Sequence, residues 1–152
     1  MFYYIDKDKL EYFTFGGTSS ASFNFIIVEN DNLNGFENDF EFVSVPGRTG
    51  DLIINNNRKK NKPINIKAYV DLEGLGEAKV VAQNINNWLT GEVKYKPLTF
   101  SDDLTKYDAI VDGGVSIKEV IEGLLEISFK FNCKPSEVAL WYNFMIKNLK
   151  LI

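Results

Sequence analysis

A mainly β fold, an antiparallel sandwich or split barrel with one flanking α-helix, is what this chain predicts, and three observations predict it. Ile64, Ile66, Ala68 and Val70 alternate with Asn65, Lys67 and Tyr69, the period of two of a half-buried strand. Leu125, Ile127, Phe129, Phe131 and Cys133 alternate with Glu126, Ser128, Lys130 and Asn132 in the same way. Only one internal stretch, Glu77 to Leu89, has helical spacing, with Val81, Ile85, Trp88 and Leu89 on one face. Twelve phenylalanines and seven tyrosines reinforce the β reading. Many strands and one late helix suggest a β layer with the helix on one side.

Taken in order, Met1 to Ile5 is short and aromatic, suited to an edge strand or an arm that pairs with a neighbour. Leu10 to Phe15 and Phe23 to Val28 read as strands across a Gly-Gly-Thr-Ser-Ser loop, with Phe23, Phe25 and Ile27 on one face. Asn34-Gly35 is a turn dipeptide. Phe40 to Val45 is the next strand, and the polar, basic stretch Asn55 to Lys62 reads as a loop before the strand at Ile64. Gly74 and Gly76 precede the helix, and Gly91 follows it in a position suited to closing it. Lys94 to Phe100 is a strand, and Asp112-Gly113-Gly114 reads as the turn of a hairpin between Tyr107–Val111 and Val115–Val120. Past Pro135 the pattern changes. Val138, Trp141, Tyr142, Met145, Leu149 and Ile152 fall at helical spacing, which predicts an amphipathic C-terminal helix over Ser136 to Leu149 with Ser136 as its cap. The expected division is therefore a domain at 1–135 and an extension at 136–152.

Composition removes several functions. The 152 residues suffice for one domain and carry a net charge of −4, so no global basic field points to nucleic acid. The chain has no histidine, which excludes Ser-His-Asp and Cys-His catalysis and imidazole-bound zinc. A single cysteine excludes an internal disulfide and thiolate-rich metal sites, and Cys133 reads as a buried small hydrophobe. No apolar run of about 18 residues or signal-like N-terminus is present, so neither a membrane span nor secretion is expected. No cofactor is expected either.

The most specific local feature is Val45-Pro46-Gly47-Arg48-Thr49-Gly50-Asp51-Leu52. Proline removes a donor and ends the strand before it, and each glycine can take a left-handed conformation. The run predicts a tightly specified reversal that turns Arg48 and Asp51 outward. It is not a phosphate cradle: two residues, not four, separate Gly47 from Gly50, and a strand follows. Pro46, Gly47, Arg48, Thr49, Gly50 and Asp51 are candidates for a structural turn or a subunit contact, because arginine forks onto carboxylates at interfaces. Asp102 and Asp103, in a stretch with Asp108 and Asp112, are candidate acceptors across such a contact. Their plainer reading is solvated turn residues, since the alternating ligand spacing of a calcium loop is missing. Arg58 to Lys62 reads as a solvated basic loop or one docked against an acidic neighbour, and Trp88 as core. Two rival functions have clear tests. A carbohydrate-binding module needs an exposed platform built from Trp88, Trp141 or tyrosines, and a carboxylate glycosidase needs two carboxylates about 5–9 Å apart in a cleft.

Four segments, in order, resemble the N-terminal domain of the distal tail protein of long-tailed, non-contractile bacteriophages. They are Phe15-Gly16-Gly17-Thr18-Ser19-Ser20; the Val45 to Leu52 run with its Asn-rich sequel; Trp88-Leu89 leading to Leu98-Thr99-Phe100-Ser101-Asp102-Asp103 and Tyr107-Asp108-Ala109; and Ile127-Ser128-Phe129-Lys130-Phe131-Asn132-Cys133-Lys134-Pro135. The resemblance implies a virion structural protein of the tail tip, made in the host cytoplasm, without catalysis. It implies a homohexameric ring under the tail tube, joined to the tail tube protein above and the tail-associated hub protein below, with receptor-binding baseplate proteins as further partners and with no membrane or specific nucleic acid. Full-length relatives usually continue past the Cys-Lys-Pro segment into a galectin-like domain, and the expectation here is that this second domain is absent.

Overall fold

The structure, a computed structural model, describes residues 10–135. The aromatic segment at 1–5 and the helix expected over 136–149 lie outside the described residues. The fold is mainly β, with two sheets and one flanking helix. Strands β1 (Phe13–Phe15), β2 (Thr18–Ser19), β3 (Phe25–Asn30), β6 (Lys62–Asp71), β7 (Lys96–Phe100), β8 (Asp103–Val111), β9 (Ser116–Ile121) and β10 (Leu124–Pro135) build the larger sheet. Its order is β2-β1-β7-β8-β10-β6-β3, with β9 also on β10. Strands β4 (Asn38–Val43) and β5 (Leu52–Lys59) form a separate two-stranded sheet, and helix α1 spans Ala78–Thr90.

The two alternating segments become the paired centre of the sheet. β10 runs antiparallel to β6, so that Leu125 faces Val70, Ile127 faces Ala68, Phe129 faces Ile66, Phe131 faces Ile64 and Cys133 faces Lys62. Each inward residue thus meets an inward residue, because a period-two pattern fixes which face every residue takes. The core collects these side chains with Val81, Ile85 and Leu89 of α1 and with Phe13, Phe15, Phe25, Leu98, Phe100 and Tyr107. Phe13 lies at its centre: its ring stacks on Trp88 at 5.6 Å and meets Phe131 edge-on at 5.5 Å and Phe25 at 5.8 Å. Phe13 and Phe25 sit near opposite ends of the strand order, so the sheet curls until its ends meet through side chains. Among the described residues no hydrogen-bonded pairing closes it into a barrel.

Several expectations are corrected. The two sheets do not face each other as a sandwich: β4 and β5 are exposed along almost their whole length. Phe23 is not in a strand but ends a 3-10 turn (Ser20–Phe23). Asn24, at φ 55°, breaks the chain there, and its side chain donates to the carbonyls of Asp71 and Glu73 at 3.0 Å each. The turn near Asn34-Gly35 centres two residues earlier, on Asn32 and Leu33, with Asn34 N–H donating to Asp31 O at 3.2 Å. Gly91 does close the helix by donating to Asn87 O, but at φ −67° and without a left-handed turn. Finally, β8 and β9 do not pair with each other. Both run along β10 in the same direction, β8 opposite residues 131–135 and β9 opposite 124–128. Asp112–Val115 is therefore an interruption in one long edge and not a hairpin turn. Glycine at φ 82° (Gly113) served a kink in the strand as readily as a reversal.

Candidate functional site

The β4–β5 hairpin carries the Val-Pro-Gly-Arg-Thr-Gly-Asp run at its tip. Arg48 N–H donates to Val45 O at 3.2 Å, with Pro46 second and Gly47, at φ 77°, third. Proline at the second position and a left-handed glycine at the third make the type II turn. Gly50 is also left-handed, at φ 83°. Pro46 to Asp51 are all exposed, and Arg48 and Asp51 point outward as the sequence implied. Val45, expected as the strand's last residue, lies two past its end at Val43.

The flanking strands are apolar on both faces. Phe42 faces Ile53 in the register, and the Phe40 and Phe42 rings meet edge-on at 5.2 Å. On the other face Val43 opposes Leu52, and Ile54 opposes Glu41. Phe42 and Ile53 are each 64% exposed. A two-stranded hairpin is marginal in water by itself, and an exposed apolar surface on both of its sides marks an interaction site.

Toward the body the hairpin turns polar. The register slips between Asp39 and Phe40, and Asn57 takes up the extra length at φ 58°, a conformation asparagine tolerates. Asn57 N–H donates to Asn55 Oδ1 at 2.8 Å, and Asn56 Nδ2 donates to Asp39 Oδ1 at 2.9 Å. The three asparagines thus build a bulge inside a strand, not the loop read from their composition. The basic run pairs within the hairpin: Arg58 with Asp39 at 3.4 Å, Lys60 with Glu37 at 3.6 Å, and Lys59 donating to Asn38 Oδ1 at 2.6 Å.

Lys62 is the residue that composition misplaced. It is 4% exposed, because it continues the inward phase of Ile64, Ile66, Ala68 and Val70 by one more step. Extending that alternation back across Pro63 would have found it. Its ammonium donates to the carbonyls of Asn32 (2.8 Å) and Asn34 and to the Tyr107 hydroxyl (3.1 Å), and lies over the Phe36 and Tyr107 rings at 5.1 and 4.8 Å. Burial pulls its pKa down, against the opposing charge of Asp103. Lys62 therefore ties the loop that feeds β4 to the main sheet and fixes the root of the hairpin.

Asp102 and Asp103 lie at that root. Asn32 Nδ2 donates to Asp102 Oδ1 at 3.1 Å. Asp103 accepts from the Tyr107 hydroxyl at 2.7 Å and from Thr105 N–H at 2.9 Å. Burial raises the Asp103 carboxyl, but these two hydrogen bonds and Lys62 outweigh it and hold the group below the ordinary carboxylate value. Asp103 raises the Tyr107 hydroxyl in turn, after burial, which is the larger cause. Asp112 pairs with Lys130 at 3.7 Å. The candidate residues thus fall into two groups: Pro46 to Asp51 at the hairpin tip, and Asp102 with Asp103 at its root.

Trp88 is core, stacked on Phe23 at 5.0 Å with its indole N–H donating to Phe15 O at 3.0 Å, so it offers no sugar platform. Trp141 lies outside the described residues. Cys133 is fully buried, and burial pushes its thiol up to about 12. Among the described residues no group of three acidic or cysteine side chains is placed to hold a metal ion.

Comparison with known proteins is consistent with this geometry. No curated protein sequence matches the chain. Among solved structures, the crystal structure of the SPP1 Dit protein (gp 19.1), described as a paradigm of the hub adsorption apparatus in phages infecting Gram-positive hosts, superposes with a TM-score of 0.64 at 17% identity. The match covers 83% of this chain and 50% of that one, so the chain spans half the length of the structure it resembles. The family of the phage tail protein RIFT-related domain matches residues 17–133, and the chain belongs to that family.

Proposed function

We propose that this chain is a ring-forming structural component of a phage or prophage tail tip, a homohexamer that joins the tail tube to the hub of the baseplate. Its family membership supports the setting. The observation that carries the ring is the β4–β5 hairpin, apolar on both faces and exposed along almost its whole length. Such a surface is stable in water when another chain covers it, and the covering chain in a ring is a second copy. The mechanism is geometric: identical contacts repeat until they close, and the closed ring presents one face to the tube protein and the other to the hub. The Pro46 to Asp51 turn serves as a subunit contact. The protein would be made in the host cytoplasm and act in the virion, with receptor-binding baseplate proteins as further partners and without a catalytic step.

Light scattering and electron microscopy of the full chain test this. A closed cyclic oligomer of six subunits is expected, and Phe42→Asp is expected to convert it to folded monomer. A protein that stays monomeric at high concentration, with no ring in the micrographs, would overturn the reading.

A further inference from the structure

The β4–β5 hairpin continues the main sheet but is one strand short. β5 passes into β6 through only Lys60 and Asn61, and β3 passes into β4 along one side of that ribbon. β3 pairs antiparallel with β6 and β4 antiparallel with β5, so these two flank the same edge in succession. Two hydrogen bonds span the gap between them: Asn65 N–H donates to Asp31 Oδ1 at 2.6 Å, and Lys60 N–H donates to Glu37 O at 2.7 Å. On the opposite edge β10 follows β6 residue by residue, from Leu124↔Asp71 to Cys133↔Lys62. The described residues end at Pro135, and among them no strand pairs with that edge of β5.

The line of β10 is aimed along that free edge. Tyr95 lies beyond the last pair of the ladder and holds both strands: its hydroxyl accepts from Asn61 Nδ2 at 2.8 Å, and the Lys134 ammonium lies over its ring at 4.7 Å. Asn61 and Lys134 are the next pair of the same register. Continued one residue at a time, that register sets Ser136 opposite Lys59 and Glu137 opposite Arg58, whose guanidinium already pairs with Asp39 of β4 at 3.4 Å. A carboxylate on the third strand would complement Arg58 from the side away from Asp39. Residues 138–142, Val-Ala-Leu-Trp-Tyr, are apolar without a break, as Leu52, Ile53 and Ile54 are, which suits a strand with apolar side chains on both faces. Val138, Leu140 and Tyr142 would share the face of Phe42 and Ile53, and Ala139 and Trp141 the face of Val43 and Leu52. The bulge at Asn56 and Asn57 adds two residues to β5, so it can shift the register without exchanging the faces. The same residues have helical spacing; the free edge of β5 is what favours the strand.

We propose that residues 136–143 continue β10 as a third strand on the free edge of β5. The docking surface is the unpaired backbone row of Leu52–Lys59, and its occupant is a segment of this same chain. The proposal stands whether or not the subunits form a ring. A two-stranded hairpin is marginal in water, and a third strand turns it into a sheet that holds its own direction. An unpaired edge is also a template for stray pairing, which an internal strand removes. The two faces of the hairpin stay open, and Leu140, Trp141 and Tyr142 widen them.

Disulfides engineered in the full chain test the strand and its register. Ile53→Cys is combined with Leu140→Cys or Tyr142→Cys, and Ile54→Cys with Ala139→Cys or Trp141→Cys, which covers both registers that the bulge permits and both the close and the wide rows of an antiparallel pair. Ile53→Cys with Trp141→Cys, on opposite faces, is the control, and Cys133 is buried. Mild oxidation is expected to close an intrachain bridge in at least one matched pair, seen as an oxidised monomer on a non-reducing gel and a linked peptide by mass spectrometry, and to leave the control open. No bridge in any matched pair, or equal closure in the control, would overturn the proposal. Covalent dimers without an intrachain bridge would also overturn it, because another copy would then cover the edge. Amide exchange is an independent arm. Val138→Pro with Leu140→Pro removes two donors from the added strand and should speed exchange across Leu52–Lys59 by roughly tenfold or more, with β6 unchanged. Unchanged exchange in β5 would overturn the third strand. Neither readout requires an oligomer, so failure of the ring reading leaves this test intact.

Discussion

The sheet formed by β6 and β10 and the hairpin formed by β4 and β5 are both antiparallel pairs rich in large apolar residues, yet one is buried and the other exposed. In the first, apolar residues occupy one face of each strand, and the curl of the sheet with α1 covers that face. In the second they occupy both faces, and the chain's own core covers neither. Alternation signals a strand whose single apolar face its own fold hides. Apolar residues on both faces of a strand that its own chain leaves bare call for cover from another chain. On the ring reading proposed above, the two regions divide the labour: the core makes the subunit stable, and the hairpin is the part that would make it associate.

If that division holds, substitutions in the core should change stability first. Phe13→Ala removes a side chain packed against Phe25, Trp88, Phe100, Phe129 and Phe131, and should cost roughly 3–5 kcal/mol, read as a lower midpoint in chemical denaturation. A loss below about 1 kcal/mol would mean that the aromatic cluster is not the centre of the core.

Lys62→Met comes next, and it probes the link between the two regions. It removes a buried charge, which offsets part of the loss, but leaves the Asn34 carbonyl without its donor and the Asn32 carbonyl with only the longer contact from the Tyr107 hydroxyl at 3.4 Å. A net loss of about 2 kcal/mol is expected, together with faster amide exchange in the loop leading into β4. Unchanged exchange there would separate Lys62 from the hairpin root.

Smaller still are the turn glycines. Gly47→Ala and Gly50→Ala place a side chain at φ 77° and 83° with no neighbour within 4 Å, so the cost is backbone strain alone, about 1 kcal/mol each. The strain falls on the tip and should weaken assembly more than it lowers the subunit's melting temperature.

Asp103 gives a pH signature. Its folded pKa lies below the ordinary carboxylate value, so its contribution is complete at neutral pH and is lost as pH falls through that lowered value. Asp103→Asn should flatten this part of the acid limb of stability against pH and leave the neutral region level. The smallest effect on the subunit belongs to Phe42→Asp. It should shift monomer stability by less than about 0.5 kcal/mol while abolishing association, the reverse of Phe13→Ala.

The sequence was enough to find β6, β10 and α1, because each keeps one strict period over many residues and only one face of each could be buried. It also located the Pro46–Gly47 reversal, since proline and a left-handed glycine leave the backbone few choices. It did not determine what pairs with what. Asp112-Gly113-Gly114 has hairpin chemistry, yet β8 and β9 share the edge of β10, because sheet pairing depends on long-range register that a local turn does not encode. Nor did composition separate Lys62 from Arg58, Lys59 and Lys60. Four cations in one short run read as solvated until the strand's phase turns one of them inward onto the backbone carbonyls of Asn32 and Asn34. The apolar residues of β4 and β5 were visible as strand formers in both cases, but their exposure was not. Whether a face is covered is a property of what packs against it, and that was decided only when the main sheet curled around α1 and left the hairpin outside.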